Sequence, residues 1–94
     1  MKKYTNMREF AADFGLPPEY GELAEVKAKI TKEIIKVIEK EGLTHQELAE
    51  MSGVPRSAVT GIVSGSLQKV TIDRLIRILF ALGRTIELKI KIAS

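Results

Sequence analysis

Between Leu43 and Gly65 the chain reads LTHQELAEMSGVPRSAVTGIVSG, and its punctuation permits two helices but no long one. Thr44 and Glu47 are spaced as a capping box, in which the threonine hydroxyl accepts the Glu47 amide and the carboxylate reaches back to the Thr44 amide. A helix therefore starts at His45. Met51-Ser52-Gly53 ends it, and Pro55, whose missing N–H would be unpaired in a first turn anyway, begins the next. Gly65 closes that second helix. Ala49 is small where the two would cross, Gly53 suits a left-handed turn position, and Val59 and Ile62 are spaced to lock the second helix onto the first.

The flanks are helical as well. In NMREFAADFG, Met7, Phe10, Ala11 and Phe14 recur at helical spacing, with Asn6 and Glu9 as a capping box and Gly15 as a stop. Leu16-Pro17-Pro18 breaks that segment, and a longer helix follows from about Glu19 to Glu41, striped by Leu23, Val26, Ile30, Ile34, Val37 and Ile38 and ended by Gly42. Its charge run, with Glu25 four residues before Lys29, is a solvated face. Thr71 caps a last helix in which Ile72, Leu75, Ile76, Leu79 and Phe80 face inward, ending at Gly83. Beyond it the period changes to two: Ile86, Leu88, Ile90 and Ile92 alternate with Thr85, Glu87, Lys89 and Lys91, the pattern of a half-buried strand. A lone strand leaves its amides and carbonyls without partners. Antiparallel pairing with the same strand of a second copy, about a two-fold axis, is the simplest solution; packing on its own helices or pairing with a different protein are the others.

With 94 residues and no Pro/Gly-rich spacer, the chain reads as one domain over 1–94, made of an N-terminal helical segment (1–18), a helical core (19–83) and a dimerisation strand (84–94). It has no cysteine, no leader-like N-terminus and no apolar run long enough for a membrane span, so a cytoplasmic location is expected and no membrane partner. The net charge of +3 is unevenly spread. Residues 1–54 hold eight Lys/Arg against ten Asp/Glu, or −2, and residues 55–94 hold seven against two, or +5. The basic half begins at the second short helix, where it would attract a polyanion.

Two helices of about eight residues joined by a tight Gly-containing turn form a helix-turn-helix unit. The segment from Leu43 to Gly65, followed by a capped helix ending in Ala-Leu-Gly, resembles the Xre-type family, the DNA-binding domains of Cro and phage repressors, over about residues 30–83. With a long helix before it and a Leu-Gly-x-x-Ile-x-Leu-x-Ile tail after it, the layout is similar to that of the antitoxin branch related to HigA. The resemblance implies a mainly α, five-helix lambda-repressor-like fold with one C-terminal β-strand pairing across a homodimer. It also implies double-stranded DNA as a partner, a transcriptional role, and a HigB/RelE-type toxin as a second partner. The family's Gln in a Leu-Thr-Gln-x-Glu-Leu-Ala run is replaced here by His45, with Gln46 adjacent.

The second short helix carries Arg56, Ser57, Thr60, Gly61 and Ser64 opposite Val59 and Ile62. That face is bare for a solvated one, since a mid-helix glycine costs about 1 kcal/mol against alanine. A helix entering the major groove must bring its first residues to base edges, and bulk would hold it off. The resemblance places base contacts at Arg56, Ser57, Thr60 and Gly61. Arg56 can grip guanine O6 and N7, Ser57 and Thr60 can donate or accept, and Gly61 permits approach. Rim contacts to phosphate fall to His45, Gln46, Ser64, Lys69 and Thr71. His45 reads equally as an exposed helix-terminal side chain, and Ser64 and Thr71 as caps.

One histidine, no cysteine and no carboxylate pair at acid-base spacing give no basis for an enzyme, a metal site or a cofactor; Asp73 reads as a helix N-terminal charge. The rival to DNA binding is a protein-binding module that retains the fold. In it the Met7, Phe10 and Phe14 face with Tyr4 would dock on this domain's own core or on a toxin.

Overall fold

The computed structural model describes Gly15, residues 17–68 and residues 70–92. The first expected helix, with Met7, Phe10 and Phe14, lies outside the described residues. Four helices follow: α1 (Pro18–Glu41), α2 (His45–Ser52), α3 (Arg56–Val63) and α4 (Ile72–Ala81). The long α1 packs against α4 and touches α3, while α2 packs against both α3 and α4. None of the four is long and apolar enough to cross a membrane.

Local signals set the ends. Pro17 is the N-cap of α1, one residue earlier than the sequence suggests, and Gly42 ends it in the left-handed region. Pro55 sits at the N-cap of α3 rather than inside the helix, and its carbonyl accepts the Ala58 and Val59 amides at 2.9 and 3.1 Å. Thr71 caps α4, its hydroxyl accepting the Arg74 amide at 3.2 Å.

The core gathers Ile34 and Val37 from α1, Leu48 from α2, Val59 and Ile62 from α3, and Leu75, Ile78, Leu79 and Leu82 from α4 and its end. One expected stripe is rotated, and another, on α1, holds at Ile30, Ile34, Val37 and Ile38 but not at its N-terminal end. On α4, Ile76 is 43% and Phe80 78% exposed, and Ile78 and Leu82 take the inward places assigned to them. This helix is apolar on more than one side, so periodicity defines a wide stripe, and contact with α1 and α2 selects the row 75, 78, 79, 82. On α1, Leu23 and Val26 stay exposed while Lys27 and Thr31 are buried. The Lys27 stem runs inward and its Nζ donates to the Leu67 carbonyl at 3.3 Å, tying the first helix to the loop after α3.

The C-terminal strand does not form among the described residues: residues 84–92 are neither helix nor strand. Ile86 packs against the core, but Leu88, Ile90 and Ile92 are 78, 92 and 95% exposed. A strand exists by its ladder, and no second extended segment of this chain lies among the described residues to supply one.

Candidate nucleic-acid interface

The site is built from the α2–α3 unit. Both bonds of the capping box are made: Glu47 N–H donates to Thr44 Oγ1 at 3.0 Å, and Thr44 N–H donates to Glu47 Oε1 at 3.0 Å. These Thr44 bonds, the backbone one first, hold the Glu47 carboxyl below its ordinary range. At the other end of α2, Gly53 has φ 72°, which only glycine adopts without strain, and its N–H donates to Ala49 O at 2.9 Å. The Ser52 hydroxyl donates to Leu48 O at 2.7 Å and accepts the Val54 amide at 3.3 Å, so the turn is held from both sides.

This turn presents α3 with Val59 and Ile62 fully inside the core. The opposite face carries exposed Arg56, Ser57 and Thr60 and half-buried Gly61. Arg56 has no ion pair among the described residues, in contrast to Arg77, which is held by Asp73 at 3.2 Å. An alanine methyl at Gly61 would meet nothing within 4 Å, so no neighbour among the described residues demands a glycine there.

The nominated rim residues divide by what their hydrogen bonds leave free. Thr71 Oγ1 accepts the Arg74 amide and keeps its proton to give. Gln46 Nε2 donates to Glu50 Oε1 at 3.1 Å, engaging one of its two amide protons. The Ser64 hydroxyl donates to Gly61 O at 3.0 Å, and to meet a phosphate, which only accepts, it must give up that bond. Lys69 lies outside the described residues. His45 and Thr60, assigned separately to phosphate and base, are joined: His45 Nδ1 and Thr60 Oγ1 are 3.0 Å apart. Sequence reasoning missed that link. The only signal for it was a histidine in the first turn of α2.

The four expected dimerisation residues do not share one environment. Ile86 belongs to the core edge, and Leu88, Ile90 and Ile92 project from it. Beside them, a groove of about 850 Å³ runs between α1 and α4, lined by Val26, Ile30, Ile72, Ile76, Ile86 and Leu88 among others.

A family model described as a helix-turn-helix domain matches residues 10–91, most of the chain. No curated protein and no solved structure matches it.

Proposed function

Since the chain belongs to the helix-turn-helix domain family, we propose that it is a cytoplasmic, sequence-specific DNA-binding transcriptional regulator of the Xre type that binds an inverted-repeat operator as a homodimer. One observation carries this reading. The α3 face opposite the core-buried Val59 and Ile62 begins at Arg56, which has no ion pair among the described residues, and includes Gly61, where an added Cβ would meet nothing within 4 Å. Such a face suits close approach to a groove. In this reading Arg56 grips a guanine, Ser57 and Thr60 address neighbouring bases, and Gly61 lets the helix seat. His45, Gln46, Lys69 and Thr71 hold phosphates at the rim, with Ser64 acting mainly as the terminus of α3. The arm beyond Ile86 pairs with its symmetry mate, which supplies the ladder a single chain lacks.

Within that role we propose an antitoxin that represses its own operon and neutralises a HigB/RelE-type toxin. Its support is the layout, a long helix before the unit and an alternating arm after it. The exposed Met51, Ile76 and Phe80, at 50, 43 and 78%, add an apolar patch beside the unit that favours a protein partner. A small nuclease gene adjacent to this one, whose product co-purifies with the chain, is the expected companion.

The deciding experiment is selection from a random duplex pool at about 0.15 M salt, where non-specific binding is already weakened. Enrichment of an inverted repeat, with half-site centres about 34 Å or a multiple apart, is the expected result. A folded protein that enriches no sequence would sink the reading and leave a protein-binding scaffold.

A further inference from the structure

We propose that the proton on His45 decides which way the Thr60 hydroxyl addresses a base edge, so that the domain prefers different bases at one operator position with the imidazole neutral and with it charged. This rests on the DNA-reading role proposed above. The Ser52 and Ser64 hydroxyls are spent on backbone carbonyls of their own helices, Leu48 O and Gly61 O. The Thr60 hydroxyl is not. Its partner is His45 Nδ1, 3.0 Å away on the neighbouring helix, and His45 Nε2 has no partner among the described residues.

A hydroxyl has one proton and two acceptor lone pairs, and neutral imidazole has one donor and one acceptor nitrogen. With Nε2 on a phosphate, which only accepts, the neutral ring must carry its proton on Nε2. Nδ1 then accepts the Thr60 proton, and Thr60 can offer a base only its lone pairs, which suit adenine N6 and cytosine N4 amino groups. When the ring gains a second proton, Nδ1–H donates to Thr60 Oγ1. The threonine proton is released toward the groove, where guanine O6 and N7 and thymine O4 accept it. Phosphate contact survives in both states, because Nε2–H persists. Imidazole is the side chain whose charge ordinarily changes between pH 5 and 8.

The charged groups on the surrounding elements are largely engaged elsewhere. On α2, Glu47 accepts the Thr44 amide and Glu50 accepts from Gln46. On α4, Asp73 holds Arg77, with Arg74 beside them; on α1, Lys27 donates to Leu67 O. Arg56 lies one turn before Thr60 on α3. None of these side chains hydrogen-bonds to the imidazole among the described residues.

The test is duplex selection at about pH 8.5 and about pH 5.5, at one ionic strength, with wild type, Thr60→Val and His45→Gln. Wild type is expected to shift at one position of each half-site from A or C to G or T on the strand facing Thr60. The relative enrichment should change by about five- to tenfold, the worth of one hydrogen bond of the wrong polarity. Thr60→Val, which keeps the shape and loses the hydroxyl, should show no shift there between the two pH values, and His45→Gln should hold one preference at both. A wild-type preference that ignores pH, or a shift that persists in Thr60→Val, overturns the inference and leaves DNA reading intact. Failure of wild type to enrich any sequence at either pH overturns both.

Discussion

Gly61→Ala separates what the fold wants from what the surface is for. Gly61 is the sixth of eight residues in α3, has an ordinary helical backbone, and offers an added Cβ nothing within 4 Å. Alanine is therefore free of clash and gains the full propensity difference, about 1 kcal/mol, partly by narrowing the unfolded ensemble. In a domain of this size that is a rise of about 4 to 8 °C in Tm, readable by calorimetry. On the DNA side the same methyl stands on the face that carries Arg56, Ser57 and Thr60. A displacement that lengthens two base contacts costs at least about 1.4 kcal/mol, or tenfold in Kd. The expected variant is thus more stable and a weaker binder, a combination loss of folding cannot produce. Binding at wild-type affinity with a raised Tm would refute the close-approach argument. An unchanged Tm would refute the propensity argument.

Arg56→Ala should lose about 1 to 3 kcal/mol of binding and relax preference at a single base position, measured on matched and mismatched duplexes; equal losses on all sequences would reassign Arg56 to phosphate. Thr44→Ala removes the cap of α2 and should cost about 1 kcal/mol in denaturant unfolding. Because the folded-state pKa of Glu47 is depressed, its stabilising contribution is fully present above the ordinary carboxylate range and fades as pH falls through the lowered value, so Glu47→Gln should flatten that part of the acid limb of stability. Replacing Leu88, Ile90 and Ile92 together by lysine touches only exposed side chains, and should leave the helical circular dichroism unchanged while sedimentation shifts from dimer to monomer. A wild type that sediments as a monomer at every concentration would dispose of the arm-pairing proposal.

The boundaries of α2, α3 and α4 were legible because capping is local: Thr44 and Glu47 sit within one turn, and Gly53 needs only its own backbone conformation. The facing of α4 was not, because Ile76 and Phe80 are as apolar as Ile78 and Leu82, and only packing against α1 and α2 chooses between them. Lys27 shows the same limit. A charged residue reads as surface until a carbonyl 40 positions away, that of Leu67, is brought to meet it. In the candidate site the types and spacing on α3 were readable, whereas the His45–Thr60 contact spans 15 positions and two helices. The arm was readable as an alternating pattern, but whether it forms a strand depends on a partner outside the sequence.

Ile86 fixes the point at which the arm leaves the body. If two arms zip together beyond that point, their alternation forbids a one-residue slip, which would turn every side chain to the other face. Register can then move only in steps of two residues, about 7 Å of strand, close to the rise of two base pairs. The arm would therefore work as a graduated ruler between two reading heads. Insertions or deletions in it would re-space the two halves of the operator without touching the letters that α3 reads, and spacing and spelling would be free to diverge separately.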